Sequence, residues 1–180
     1  MRAFNSAGVT DPPYDARDVD YTWKLWLNPE FGAAFPTGLS DVGLAGLLLI
    51  SSAVVSLDHL SITFHLKQPY VPFLQFWVDG ILAPLPAHHF STMTPGQMAK
   101  SPDNLKPQVV SGAFLMAESV SGNHFTLVRN PHYYLASQGL PYLDKVVFRD
   151  VSSSDILKDL QTDTFDSTGE ALLYAAYLQD

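Results

Sequence analysis

Residues 127–149, LVRNPHYYLASQGLPYLDKVVFR, decide the reading of this chain. Phe125, Leu127 and Arg129 alternate with Thr126 and Val128, the period of two expected of a strand. Asn130 and Pro131 stop that strand, because proline has no N–H to give to a ladder. An aromatic corner follows at Tyr133 and Tyr134, and Gly139, Leu140 and Pro141 turn the chain. Lys145 to Arg149 then forms a second β-rich run.

Working outward, residues 115–129 read as a hairpin whose loop is residues 119–123, SVSGN. In residues 57–70, LDHLSITFHLKQPY, Leu60, Ile62, Phe64 and Leu66 alternate with Ser61, Thr63 and His65, so Phe64 is expected inside and Thr63 outside. Residues 11–24, DPPYDARDVDYTWK, contain a helix start: Asp15 can cap the free N–H groups, and Asp18 adds negative charge to the first turn. Val19, Thr22, Trp23 and Trp26 fall on one apolar face, and Asn28 and Pro29 end the helix. Residues 91–107 read as a surface loop with one helical turn.

Taken together these segments resemble the peptide/nickel class of extracytoplasmic solute-binding proteins that feed ABC importers. The resemblance rests on R-N-P-x-Y-aromatic followed by G-x-P-Y-L-D-K-V-V-F-R. It is joined by the capped helix at 11–24, the strand at 57–70, ILAPLPAHH at 81–89, PQVVSGAF at 107–114 and ILKDLQTDTFD at 156–166. The sequence departs from the family pattern at Pro12, Ala87 and Ala113. The order of the motifs along the chain, more than any one of them, carries the resemblance. It implies a mixed α/β (α+β) lobe with a mixed sheet flanked by helices, no catalytic residue and no cofactor. It also implies a peptide or other small solute as ligand, ABC permease subunits as membrane partners, a monomeric state and a place outside the cytoplasm. Members of the class are far longer, so residues 1–180 are expected to form a single partial lobe of a two-lobed protein, without the signal or lipid anchor such proteins carry.

Composition sets independent bounds. Hydrophobic residues make up 47% and charged residues 16%, enough apolar material for a packed core. Eighteen carboxylates against ten Lys plus Arg give a net charge of −8, which argues against a nucleic-acid partner. With no cysteine, disulfides, thiolate metal sites and a Cys nucleophile are excluded. Residues 42–57 are uncharged but shorter than the roughly 20 apolar residues a spanning helix needs. They read instead as a buried helix end leading to the next strand.

Several clusters invite a chemical reading. His88 and His89 diverge by about 100° on a helix, so one metal would not take both, and no metal site is expected. His59 and His65 fall on the polar flank of a strand region, toward solvent or a cross-strand partner. Asp155, Asp159, Asp163 and Asp166 fit a solvated helix face and lack the pattern of a calcium loop. Neither Ser111-Gly112 nor Ser121-Gly122 has the nucleophile elbow.

That leaves Tyr133 and Tyr134 as ligand contacts, since the resemblance places their corner near the interlobe cleft. Ser167, Thr168 and Gly169, where the family chain approaches its hinge, are the other candidates. Strands are expected near residues 60–66, 114–118, 125–129 and 145–149, and helices near 16–26 and 155–162. Two other functions stay open: a secreted hydrolase module using paired carboxylates, and a non-binding structural remnant of a binding protein.

Overall fold

The computed structural model describes residues 3–6, 9–35, 46–78, 82–152, 155–156, 158 and 161–162. Its strands are β1 (Ala3–Ser6), β2 (Val9–Pro13), β3 (Ile50–Val55), β4 (Ile62–Leu66), β5 (Phe114–Val120), β6 (His124–Arg129) and β7 (Lys145–Arg149). Its helices are α1 (Ala16–Trp26), α2 (Pro29–Ala34) and the short α3 (Gln75–Val78), α4 (Ala87–Phe90) and α5 (Pro95–Ala99). The expected combination of helices and strands is present. The single mixed sheet is not: the described strands form three antiparallel sheets, β1-β2, β3-β4 and β5-β6-β7. Short connections explain the pairings β1-β2, β3-β4 and β5-β6, because sequential strands joined by tight turns pair antiparallel, whereas parallel pairing needs a long crossover; β6 and β7 are joined by a longer corner, residues 130–144, that reverses the chain.

Helix α1 begins as its residues require. Asp15 is the N-cap and accepts from the Arg17 N–H at 2.8 Å, while the Asp18 carboxylate takes the Asp15 N–H at 2.9 Å. This reciprocal box satisfies two donors that a helix start leaves free. Asp18 also accepts from the Ala87 N–H at 2.8 Å, and the Thr22 hydroxyl accepts from the Leu85 N–H at 2.8 Å. Two buried polar side chains thus bind the first turns of α1 to the chain entering α4. Asn28 and Pro29 do end α1, and they also start α2, with Asn28 as its N-cap and Pro29 in its first turn.

The apolar face of α1 lies over the β3-β4 hairpin. Leu47, Ile50 and Leu82 form the buried centre, and Trp23, Trp26, Phe64, Phe73 and Trp77 pack around it. Phe64 meets Trp23 edge-on at 6.3 Å and Phe73 at 5.3 Å. Its neighbour Thr63 is exposed, so the alternation read from the sequence holds on β4. The uncharged run at 42–57 supplies a helical turn at 46–48 with Leu47 buried, and then β3 itself; residues 42–45 lie outside the described residues. No described helix is long and apolar enough to cross a membrane. The helical turn expected within 91–107 is α5, capped by Thr94 and Gln97 and anchored by buried Met98.

His59 is not on a strand flank. It sits in the turn between β3 and β4 with φ +58°, and its carbonyl accepts from the Ala16 N–H at 3.0 Å. The turn is held by Asp58, which accepts from the Ser56 hydroxyl at 2.6 Å and the Leu60 N–H at 3.0 Å, so the strand starts at Ile62 rather than Leu60.

In the three-stranded sheet, β5 continues to Val120 and the loop shortens to Ser121, Gly122 and Asn123. Gly122 has φ +68°, the left-handed position that a three-residue hairpin loop requires. One extra residue, Ala117, lies in β5 between the pairs Met116↔Leu127 and Glu118↔Thr126. Phe125 on β6 stacks on Phe148 of β7 at 4.5 Å. The C-terminal helix expected near 155–162 falls largely outside the described residues; Asp155, Ile156, Lys158 and Gln161 are helical, and Ile156 is buried.

Candidate functional site at the aromatic corner

The decisive stretch of sequence forms a braced corner. Asn130, which follows β6, is fully buried. Its backbone N–H donates to the Ala113 carbonyl at 2.9 Å, its side-chain amide to the Gly112 carbonyl at 2.8 Å, and its side-chain oxygen accepts from the His132 N–H at 3.0 Å. A buried amide with each end matched is stable where an unmatched one would not be. Asn130 therefore ties the turn to the entry of β5 while Pro131 blocks further pairing.

Arg129 closes the other side. Its backbone N–H donates to the Asp144 carbonyl at 2.8 Å, and its guanidinium donates to the Tyr142 carbonyl at 2.9 Å and pairs with the Asp144 carboxylate at 2.9 Å. Between these anchors a 3-10 turn at Ala136–Gln138 is capped by Gly139 at φ +81°, where a side chain would be strained. The arrangement R-N-P…G-x-P-Y-L-D is thus a structural device that joins β5, β6 and β7.

Tyr133 and Tyr134 stand on this corner. Their rings meet edge to face at 4.7 Å and 67°. Hydrogen bonding to Tyr134 holds the Tyr133 phenol above the ordinary tyrosine range, and desolvation and the charge of Tyr134 push the same way. Tyr134 is 55% exposed, and Tyr142 on the returning chain is 82% exposed. Such a surface can stack on a ligand's ring or aliphatic chain and offer a hydroxyl to a backbone carbonyl. Ser167, Thr168 and Gly169 lie outside the described residues, so the structure brings together two of the five expected contacts.

The other chemical readings find little support in the arrangement. No group of three His, Asp or Glu that could hold a metal ion occurs among the described residues. His89 Nε2 lies 2.8 Å from the Asp103 carboxylate. Asp155 accepts from the Ser152 hydroxyl, and Asp159, Asp163 and Asp166 lie outside the described residues. Sequence reasoning took Asn130 only as a strand end and overlooked Arg129 as a brace. Their adjacency to Pro131 was the available signal, because a polar pair before a strand-ending proline must find partners for a turn.

The model of the middle part of the bacterial extracellular solute-binding proteins, family 5, matches residues 10–179. The chain belongs to this family. Among solved structures with the same fold, the oligopeptide-binding protein AppA of Bacillus subtilis in complex with a nonapeptide has a TM-score of 0.68 and 21% identity, over 87% of this chain and 29% of AppA. The periplasmic binding protein DppA of Helicobacter pylori in complex with the peptide STSA has a TM-score of 0.62 and 23% identity, over 91% and 32%. A Brucella ovis protein, provisionally named as an ABC transporter peptide-binding protein, is 24% identical over 76% of this chain. The chain spans 23% of that relative's length. At such identities these structures establish the shared fold.

Proposed function

We propose that this chain is part of the solute-capturing component of an ABC importer that works outside the cytoplasm and takes peptides. The observation that carries this reading is the match to family 5 over nearly all of the chain, with a fold shared by proteins solved with bound peptides. Permease subunits in the membrane are the partners such a component requires. The work is binding: a ligand stabilises the closed state of two lobes through contacts made only in that state. This chain forms part of one lobe, and Tyr133 and Tyr134, with Ser167, Thr168 and Gly169, contribute to its side of the cleft.

Affinity in that mechanism needs both walls, since contacts from each side offset the cost of ordering the ligand. Alone, the 180-residue chain should bind short peptides no more tightly than about millimolar, equivalent to some 4 kcal/mol. Two-dimensional NMR of the chain titrated with mixed tri- and tetrapeptides tests this. Shifts at the Tyr133 and Tyr134 ring signals that weaken in Tyr134→Ala are expected. No response at either ring would reject the corner as a contact, and a micromolar constant would reject the partial-lobe reading.

A further inference from the structure

Away from the aromatic corner, the segment entering α4 and the chain from residue 103 to residue 111 enclose a cavity of about 270 Å³. Pro84, Pro86, Phe90, Pro107 and Val110 supply apolar walls, and neither Lys nor Arg is among its described lining. The backbone donors of that lining are largely spent. A proline has no N–H to offer. The N–H groups of His89 and Phe90 donate to the Pro86 carbonyl at 3.0 and 3.1 Å, that of Leu85 to the Thr22 hydroxyl, and that of Asn104 to the Ser101 carbonyl. Those of Asp103 and Gln108 donate to the Ser101 hydroxyl and the Asp103 carboxylate.

The side-chain amides turn the same way. Asn104 Nδ2 donates to the Met98 and Ala99 carbonyls at 2.9 and 3.0 Å, and Gln108 Nε2 to the Lys106 carbonyl at 3.1 Å. A carbonyl can only accept, so the nitrogen end of each amide is committed there and the oxygen end is left for an occupant. Asp103 adds charge. Its carboxylate accepts from the Ser101 hydroxyl at 2.8 Å and lies 2.8 Å from His89 Nε2. Burial works to raise its pKa, but these bonds and the one from the Gln108 N–H outweigh burial and hold it below the ordinary value, so it is ionised at neutral pH. Whatever the charge on His89, the described lining as a whole is then neutral or negative and never positive. The cavity is thus rich in acceptors and poor in donors, and an occupant gains most by bringing donors and positive charge. Its volume lies just under the roughly 300–1,000 Å³ of drug-sized sites, room for one short chain with a polar head rather than a peptide.

We propose that this cavity binds an organic cation carrying several N–H donors, an alkylammonium or alkylguanidinium. Its carbon chain lies against the prolines and Phe90, and its head among the oxygens of Asn104, Gln108 and Ser111. The same head occurs on free small amines and on the Lys or Arg side chain of a peptide. The net charge of −8 on the chain favours the approach of either. The inference does not depend on the transport reading.

Methyl-resolved NMR of the whole chain tests it, with Leu85, Val109 and Val110 of the lining as reporters. Butylammonium and butylguanidinium should move these methyl signals to saturation. Butyltrimethylammonium keeps the charge without an N–H, and 1-butanol keeps the chain without the charge. Each should bind at least about tenfold more weakly. Nα-acetyllysinamide binding as well as butylammonium would assign the site to peptide side chains, and butylammonium binding alone would assign it to free amines; both support the proposed chemistry. In Asp103→Asn, butylammonium should bind at least about tenfold more weakly, and an unchanged affinity in the folded variant would overturn the proposal. Because Asp103 also braces Ser101, His89 and Gln108, that variant can lose its fold, and the ligand comparison in the wild-type chain decides independently. Butyltrimethylammonium or 1-butanol binding as tightly as butylammonium, or no response from the three methyl reporters, would also overturn it.

Discussion

Replacing Asn130 with Ala tests whether the corner is held as described. The substitution removes the bond from the side-chain amide to the Gly112 carbonyl at 2.8 Å and the acceptor of the His132 N–H at 3.0 Å. A net 0.5–1.5 kcal/mol is typical for each bond, or about 1–3 kcal/mol together. Gly112 and His132 are both exposed, so water can rescue the abandoned groups and the desolvation penalty stays small. The void left by a fully buried side chain acts in the other direction. A loss of about 2 kcal/mol is expected, a fall in Tm of roughly 4–8 °C for a chain of this size. Urea unfolding followed by tyrosine and tryptophan fluorescence, with an unchanged m-value, would measure it. Asn130→Asp sharpens the test. It keeps the acceptor for His132 but sets an anion against the Gly112 carbonyl, so at neutral pH it should be at least as damaging as Asn130→Ala. Acidification should restore it, because a protonated carboxyl can donate to that carbonyl. A change within about 0.5 kcal/mol for Asn130→Ala, or an Asn130→Asp protein whose deficit ignores pH, would refute the reasoning.

Thr22→Val keeps the shape but strands the half-buried Leu85 N–H, so chemical denaturation should show a loss of about 1–3 kcal/mol, whereas Thr22→Ser should cost less than about 1 kcal/mol. On β4, Phe64→Ala should destabilise by roughly 3 kcal/mol and Thr63→Ala by almost nothing; equal denaturant midpoints for the two variants would reject the assigned faces. Asp15→Ala should cost about 0.5–2 kcal/mol, and an unchanged midpoint would mean that α1 starts elsewhere. The Arg17 side chain chiefly lowers the Asp15 pKa, against the opposing effect of burial. Its contribution is therefore present above the unfolded carboxylate pKa, about 3.9, and lost as pH falls through the lower folded value. Thermal melts across that acid range should fall more steeply for wild type than for Asp15→Ala.

What the sequence made legible was local. Strand β4, strands β6 and β7, and α1 with its Asp15 cap carry their own periodicity and punctuation, so a short window suffices to read them. Strand β3 escaped because its alternation is interrupted: a register shift between Ile50 and Ser52 breaks the pattern, and Ser51 and Ser52 are both exposed. Strand β2 ends in Pro12 and Pro13, residues that argue against a strand unless it lies at an edge, as in this two-stranded sheet. At the candidate site, Tyr133 and Tyr134 were visible as an aromatic pair after a proline. The burial of Asn130 was not, since its amide meets a carbonyl 18 residues earlier. The same holds for Thr22, which caps an N–H 63 residues later. Polar partners chosen over such separations follow from the tertiary fold, and no periodicity announces them.

The extra residue in β5 has a consequence for any change in chain length there. Residues paired directly across a sheet share a face, so Phe114, Met116, Phe125, Leu127, Val146 and Phe148 lie together on one side. Were Ala117 paired with Thr126 rather than bulged out of the ladder, Glu118 would stand opposite Phe125 and direct its carboxylate onto the stacked phenylalanines. With the bulge, Glu118 pairs with Thr126 on the other side, where its carboxylate lies 3.3 Å from His124. Parity, more than composition, keeps that charge off the aromatic surface. Deleting Ala117 would leave Glu118 directly after Met116, still opposite Thr126, so the bulge would vanish while everything between it and the hairpin tip kept its side. A gap of one residue at this point is therefore absorbed by the bulge, and Glu118, Ser119 and Val120 keep their partners across the ladder.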